Sequence, residues 1–155
     1  MGIFDWLKKI KNIENDNGLN EIYHNNGREE LKERFHRNDG KIHGVYKRYY
    51  KSGKLQSEIF HEYGTFHGST KGWYESGEKK WEGEMNKKVF GEPIGKYVFY
   101  HPNGKVKKQT IHSDDGFPES QQCWDENGNE IDCSSELKKY QETFTHLREQ
   151  GMLKP

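Results

Sequence analysis

Polar and apolar positions alternate along most of this chain in short runs, and each run ends at a turn. The stretch YYKSGKLQSE (49–58) has two aromatic residues, a polar turn centred on Gly53 and then a mixed run. The stretches WYESGEKKWE (73–82) and FYHPNGKVKK (99–108) repeat this arrangement. Asn-Gly or Ser-Gly between two strand-like runs is a strong hairpin signal, because both residue types tolerate a positive φ. The pattern therefore predicts a series of β-hairpins.

The hairpins recur at a regular spacing, which indicates a repeat protein. One glycine marks the tight turn of each unit, and an aromatic residue stands four positions before it in all five units. These structural repeat positions are Tyr23 and Gly27, Tyr49 and Gly53, Trp73 and Gly77, Tyr100 and Gly104, and Trp124 and Gly128. Further glycines, such as Gly64 and Gly116, predict a looser turn that leads to the next unit.

A single hairpin is marginally stable in water, so successive hairpins are expected to stack edge to edge. We predict a mainly β fold, an elongated single-layer antiparallel sheet of about five tandem hairpins over residues 18–133. Aromatic residues at equivalent positions are expected to form a ladder along one face, with cross-strand pairs contributing roughly 0.2–1 kcal/mol each.

Both ends of the chain predict short amphipathic α-helices. Residues 1–17 form an N-terminal helix and linker, in which apolar residues recur at helical spacing over 3–13. This helix either caps the open edge or face of the sheet, or lies on an anionic membrane. Residues 134–155 predict a C-terminal helix and tail, with Ser134 or Ser135 as the N-cap and Gly151 at the end. Its apolar stripe, Leu137, Tyr140, Phe144 and Leu147, is expected to cover the last hairpin.

The composition favours a thin architecture over a deep core. Only 30% of the 155 residues are hydrophobic, whereas 14% are aromatic. The net charge is zero, but residues 1–108 hold 21 basic and 15 acidic residues, and residues 109–155 hold 4 and 10. With this bipolar distribution, the two ends of the chain can bind partners of opposite charge. The charged residues of both ends are equally consistent with ordinary solvated faces. No apolar run approaches the roughly 18 residues of a membrane span, and we expect a cytoplasmic protein.

The repeating units resemble MORN repeats, and specifically the MORN-repeat variant of bacterial YwqK-type antitoxin proteins. The segment GVYKRYYKSGKLQSE (44–58) matches that pattern most fully, followed by GKYVFYHPNGKVKKQ (95–109) and GSTKGWYESGEKKWE (68–82). The resemblance extends over roughly residues 18–133. It implies a non-enzymatic protein that binds and neutralises a cognate toxin.

Catalytic, cofactor and metal motifs are not evident in the sequence, and we expect none of these functions. His24 and His101 occupy the repeat position of Tyr50 and Tyr74, so they are interpreted as aromatic substitutes. The segment DENGNEIDCSSE (125–136) resembles a calcium loop, but Glu130 stands where that loop requires glycine.

The two cysteines, Cys123 and Cys133, lie symmetrically about Gly128. In a hairpin with a three-residue loop they would face each other, and two thiols so close can oxidise. Cytosolic conditions favour the reduced pair, so we expect two small buried side chains.

A protein-binding surface is the function that these features favour, because aromatic and basic residues are enriched at protein interfaces. A membrane-associated scaffold that contacts anionic lipids through the N-terminal helix and the paired lysines is the alternative. Nucleic-acid binding is disfavoured by the zero net charge. The candidate partner-binding residues are Tyr50, Tyr74, Lys79, Lys80, Trp81, Lys105, Lys107, Asp114, Asp115, Glu119, Asp125 and Glu126.

Overall fold

A computed structural model describes residues 15–25, 29–86 and 92–152. The predicted N-terminal helix and the turn residue Gly27 lie outside the described residues. Within them the chain forms one antiparallel sheet and one helix, as the sequence predicts. The elements are β1 (Gly18–Tyr23), β2 (Leu31–Asn38), β3 (Lys41–Ile42), β4 (Gly44–Tyr49), β5 (Leu55–Glu62), β6 (Thr65–Trp73), β7 (Lys79–Met85), β8 (Pro93–Tyr100), β9 (Val106–His112), β10 (Pro118–Trp124), β11 (Glu130–Ile131) and α1 (Ser134–Glu149).

Strand order in the sheet follows the order of the chain. Each strand pairs with the next, except that β4 pairs with β2 and the two-residue β3 lies off this path, paired with β2. The connections are therefore all local, as expected for a repeat protein in which each unit contacts its neighbours.

The tight turns have one shared geometry. The Gly53 N–H donates to the Tyr50 carbonyl at 3.0 Å, and the Tyr50 N–H donates to the Lys54 carbonyl at 2.9 Å. Gly53 has a φ of +78°, which a side chain would disfavour. This is the three-residue hairpin loop, a type I turn that ends in a left-handed residue. The same pair of bonds closes the turns at residues 74–78, 101–105 and 125–129, so the predicted turn positions are confirmed there.

Three of the predicted loose turns are in fact tight. At Gly116 the Ser113 N–H donates to the Phe117 carbonyl and the Gly116 N–H donates to the Ser113 carbonyl, both at 2.9 Å, as in the tight turns above.

The other two turns have a different form. Tyr63 and Gly64 both have positive φ values, and Glu62 pairs directly with Thr65 across them. Asp39 and Gly40 repeat this arrangement. These are two-residue turns of type I′, whose twist matches that of the flanking strands. The glycines four residues later, which the sequence places in the same loose turn, belong to β4 and β6 instead.

The two faces of the sheet differ in chemistry. We call first face the side that carries Phe35, Tyr46, Ile59, Thr70, Gly83, Tyr97 and Thr110, and second face the opposite side. Cross-strand partners on the second face form a row of charged residues of both signs, Glu21, Arg34, Lys47, Glu58, Lys71 and Glu82. Arg34 lies 2.6 Å from Glu21, and Lys47 lies 2.8 Å from Glu58. The second face is therefore largely self-paired and solvated.

The core is thin, as the low apolar fraction predicts. The buried hydrophobic side chains among the described residues are Phe35, Val98, Cys123, Cys133 and Phe144. Helix α1 packs against β10 and so covers only one end of the first face.

The cysteine expectation was wrong, because Cys123 and Cys133 form a disulfide with their Cα atoms 6.1 Å apart. Cys123 pairs across the sheet with Ile131, so Cys133 does not lie opposite it in the hairpin. Cys133 instead stands at the N-cap of α1, and the bond ties the start of the helix to the sheet. Both side chains are buried, as expected.

Helix α1 lies where the sequence predicts it, but its first turn is built differently. The N-cap is Cys133, not a serine, and the Ser134 N–H donates to Asp132 Oδ1 at 2.9 Å. At the other end the Gly151 N–H bonds the Arg148 carbonyl and the next N–H bonds the carbonyl of Leu147, both at 3.0 Å. This is a Schellman motif, and the predicted end of the helix is confirmed.

Candidate binding surface

A cavity of about 270 Å³ opens on the first face between β3 and β6. Its lining residues are Ile42, Tyr46, Arg48, Ile59, His61 and Phe66. Aliphatic and aromatic groups form its walls, and the side chain of Phe66 is 41% exposed at its mouth. An apolar concavity with few polar groups is the usual form of a binding site.

His61 forms the floor of this first cavity. Its ring lies 5.5 Å from the Tyr46 ring and 4.9 Å from the Phe66 ring, measured between centroids. Its Nδ1 lies 3.2 Å from the Ile59 carbonyl. Burial lowers the pKa of His61, because a low-dielectric site disfavours the imidazolium. The floor is therefore uncharged at neutral pH.

One cation stands at the rim of the first cavity. The Arg48 guanidinium lies 3.5 Å from Glu33, and its side chain is 54% exposed, against 11% for Glu33. Burial, followed by a hydrogen bond with Glu33, raises the pKa of Tyr46 to about 12. The rim thus presents an exposed guanidinium over a neutral aromatic wall.

A second cavity of about 300 Å³ lies further along the same face. It is lined by Pro93, Tyr97, Phe99, Lys108, Thr110, His112, Gln121 and Tyr140. The Tyr97 ring lies against Gly83, where an added Cβ would come within 2.2 Å of it. This close approach fixes the ring flat on the sheet and shapes one wall of the cavity.

Helix α1 closes one side of the second cavity. The Tyr140 ring meets the His112 ring with centroids 5.9 Å apart, and one turn later the Phe144 ring meets Phe117 at 5.7 Å. Gln141 Nε2 also donates to the Pro118 carbonyl at 2.8 Å. The aromatic pair at positions i and i+4 therefore forms the apolar part of the contact between α1 and the sheet.

The predicted sites Tyr50 and Tyr74 serve an internal role at the edge formed by the tight turns. The Tyr50 hydroxyl donates to the Trp73 carbonyl at 2.8 Å, and the Tyr74 hydroxyl donates to the Tyr100 carbonyl at 2.7 Å. Each bond joins one turn to the next unit. A ring nitrogen of His24 and of His101 makes the equivalent contact, with the carbonyls of Tyr49 and Trp124 at 3.1 and 2.8 Å. These contacts support the interpretation of both histidines as aromatic substitutes.

The structure brings together only two of the predicted residues Lys79, Lys80 and Trp81. Lys79 lies 2.8 Å from Glu82 on the second face. Trp81 lies on the first face, with its ring against the backbone of Gly72. Lys80 is the extra residue of a β-bulge between them and is exposed, and its Nζ lies 5.8 Å from the Trp81 ring centroid and 5.4 Å from that of Tyr74. Lys80 and Trp81 therefore adjoin each other, whereas Lys79 lies apart from them.

Three other predicted residues do come together near the end of the sheet. Lys107, Asp125 and Glu126 line a groove of about 410 Å³ beside the disulfide. Lys105 lies outside its lining and donates from Nζ to the Asn127 carbonyl at 2.8 Å. Asp125 Oδ1 accepts the N–H groups of Asn127 and Asn129, both at 2.9 Å. The carboxylate thus closes a tight turn, which accounts for the calcium-like spacing of this segment.

The remaining predicted acids, Asp114, Asp115 and Glu119, lie on and beside β10. Glu119 is exposed, and the Asp114 carbonyl accepts a bond from Asn86. Asp115 forms an ion pair with Arg148 of α1. A hydrogen bond from Ser113, followed by the bond from Arg148, lowers the pKa of Asp115 to about 2. Asp115 therefore helps to hold α1 on the sheet. Part of the acid-rich segment is thus already engaged in contacts within the chain.

The residues that line the first two cavities were not among the sequence-predicted sites. A signal for them exists, because Tyr46 and His61 recur as Tyr97 and His112 after the same interval. No helix in the described ranges is long and apolar enough to cross a membrane. Those ranges also hold no group of three or more potential metal ligands.

Comparison with known proteins identifies the repeat. The family model described as MORN repeat variant matches residues 42–63 and 93–114. No curated protein matches the chain.

Among solved structures, one titled "Crystal Structure of TarM" is 13% identical with a TM-score of 0.40, over 70% of this chain and 21% of that one. The chain thus spans about a fifth of that protein, and a likeness this low carries no argument. The two family matches support MORN-variant repeats in this chain, and they fall on the strand pairs that line the first and second cavities.

Proposed function

We propose that this chain is a non-enzymatic binding protein of the antitoxin or immunity type, which neutralises a cognate bacterial toxin by direct contact. The observation that carries the proposal is the first cavity, where Tyr46, Ile59 and Phe66 present apolar surface around a neutral histidine. MORN repeats in general bind proteins or lipids, so the family match is consistent with a binding role.

The composition of the first cavity suits a protein partner. Aromatic residues and arginine are enriched among the residues that dominate the energy of protein interfaces. Tyr46, Phe66 and Arg48 supply both kinds within one concave site. A buried anchor side chain of the partner would fill the cavity, and the surrounding polar strands would form the rim.

Two of the lysines that a lipid surface would need are already paired with carboxylates. Lys79 is paired with Glu82 at 2.8 Å, and Lys108 lies 3.7 Å from Glu136. A polybasic lipid site gains affinity from each cation that is available to the membrane. Lys87 and Lys88, with the N-terminal helix, lie outside the described residues. The lipid scaffold is therefore kept as the alternative.

Co-expression tests the proposal. The product of the adjacent gene is expressed alone and together with this chain, and growth and co-purification are both measured. We expect growth to be restored and a stoichiometric complex to be recovered. Persistent toxicity without any association would overturn the proposal, and sedimentation with anionic liposomes at low salt would then favour the lipid scaffold.

We also propose a cytoplasmic location. The redox state of the disulfide in cells can be measured to test it. Disulfides persist mainly in oxidising compartments. Alkylation of thiols in intact cells, followed by mass spectrometry of Cys123 and Cys133, distinguishes reduced from oxidised protein. A fully oxidised pair in a cytoplasmic fraction free of periplasmic markers would show that the bond survives there.

A further inference from the structure

The first and second cavities are the same site in two copies of the repeat. Five of the six positions that line the first cavity have counterparts in the second at an interval of 51 residues, which is also the interval between the two family matches. The corresponding pairs are Ile42 and Pro93, Tyr46 and Tyr97, Arg48 and Phe99, Ile59 and Thr110, and His61 and His112. The surroundings of the second cavity therefore indicate what kind of segment can pack at the first.

In the second copy an amphipathic helix packs beside the cavity and closes one side of it. Tyr140 of α1 lies on His112, and Phe144 lies on Phe117. Phe144 is only 2% exposed, which makes it one of the most buried side chains described. The two aromatic side chains stand four residues apart, so they point to the same face of α1. The second copy of the site thus packs against a helix that presents such a pair.

In the first copy the counterparts of these contact residues stand at the same positions. His61 corresponds to His112, and Phe66 corresponds to Phe117. Helix α1 packs against β10, and no second helix falls within residues 15–25, 29–86 and 92–152. Phe66 accordingly remains 41% exposed, whereas Phe117 is half-buried.

Both cavities carry a cation, but at different positions. The cation of the second cavity is Lys108, which lies 3.7 Å from Glu136 of α1. Arg48 stands where the second cavity has Phe99, and its side chain is more than half exposed. Glu33, 3.5 Å away, and Tyr46 together use only part of a group with five donor hydrogens. A ligand with a carboxylate at this position would gain a charge-assisted hydrogen bond.

We propose that the first cavity binds one amphipathic helix of the partner protein, in the manner in which α1 binds the second cavity. Two apolar side chains four residues apart contact His61 and Phe66, and a carboxylate on the same helix reaches Arg48. This inference rests on the proposed binding function and names the part of the partner that the site recognises. It is the helix-in-groove mode of recognition.

The chain itself supplies the probe for this proposal. A fluorescein-labelled peptide of residues 134–150 carries the aromatic pair of α1 and is titrated against the full-length protein by fluorescence anisotropy. We expect saturable binding, weakened at least tenfold in Phe66→Ala and at least tenfold for a peptide with Phe144→Ala. The matched control is Val45→Ala, because Val45 is similarly exposed but lies on the second face, beside Tyr46 in the same strand.

The result that overturns the proposal is equal affinity of the peptide for wild type and Phe66→Ala, or no binding at all. Residues 1–14 of the chain are the competing occupant, and Trp6→Ser tests them. A tenfold gain in peptide affinity in Trp6→Ser would assign the site to that segment and overturn the partner helix. If the peptide fails to bind while the adjacent gene product still forms a complex, the helix proposal falls and the binding function stands.

Discussion

Reduction of the disulfide between Cys123 and Cys133 is expected to lower the stability of the protein by about 2.7 kcal/mol. The bond closes a loop with a sequence separation of 10. In the chain-entropy description, a loop of that length costs the unfolded state about 9 cal/mol/K, which is about 2.7 kcal/mol at 25 °C. Helix α1 should be destabilised before the rest of the fold, because Cys133 stands at its N-cap.

Urea denaturation followed by tryptophan fluorescence, with and without a phosphine reductant, measures the effect. The double variant Cys123→Ala and Cys133→Ala is the control, and its midpoint should not respond to the reductant. A titration of free thiols confirms that the wild type is reduced. If the reduced wild type, with two titratable thiols, unfolds with the same free energy as the oxidised protein, the reasoning is refuted.

Three further predictions concern the turns, the cavity wall and the dependence on pH. Tyr74→Phe removes the hydrogen bond to the Tyr100 carbonyl, so the free energy of unfolding in urea should fall by about 1 kcal/mol. Gly83→Ala places a Cβ against the Tyr97 ring, so the same measurement should show a loss of about 1–3 kcal/mol. Burial lowers the pKa of His112 below its ordinary value, so the unfolded state binds more protons just below pH 6.5. Stability should therefore fall as the pH drops from 7 through 6, and His112→Gln should weaken that dependence.

Each of these predictions has its own control or contradicting result. Tyr63→Phe removes an exposed hydroxyl at the opposite edge and should change stability by less than about 0.5 kcal/mol. Equal losses in Tyr63→Phe and Tyr74→Phe would contradict a specific role for the bond between turns. An unchanged stability in Gly83→Ala would show that Tyr97 does not lie flat on the sheet. A pH profile of His112→Gln that superimposes on the wild type would contradict the burial argument.

The sheet was predictable from the sequence because its local signals agree with one another. The Ser-Gly at residues 52–53 and the Asn-Gly at 103–104 each place a residue that tolerates positive φ between two strand-like runs. A hairpin satisfies the turn signal and the strand signals together. The end of α1 was similarly encoded by Gly151. The first turn of that helix was not, because the N-cap is a cysteine held by a disulfide and not a residue with a capping side chain.

The candidate site was harder to predict, because it depends on a period of two units. The unit itself repeats every 24–27 residues, as its turn glycines show. The unit around Gly77 carries Thr70, Gly72 and Gly83 where the unit around Gly53 has Tyr46, Arg48 and Ile59. The two glycines are covered by neighbouring rings, Gly72 by Trp81 and Gly83 by Tyr97. The cavities thus arise from what differs between successive copies, which a search for shared positions overlooks.

The position of the cysteines shows a second limit of the sequence pattern. Symmetry about Gly128 suggested that the two residues face each other across a hairpin. The register instead pairs Cys123 with Ile131. The chain then leaves β11 and turns back so that Cys133 reaches the sheet from the start of α1. Such a pairing depends on the path of the chain after the last strand, which local turn signals do not specify.

The most direct test of the account measures how tightly the partner binds when the first cavity is altered. The product of the adjacent gene is titrated calorimetrically against wild type, Phe66→Ala and Val45→Ala. Phe66 forms the exposed wall of the cavity, and interface anchors of this kind contribute more than about 1.4 kcal/mol. The account predicts a loss of affinity of at least tenfold for Phe66→Ala and less than twofold for Val45→Ala. Unchanged affinity in Phe66→Ala, in a protein that remains folded, would contradict it.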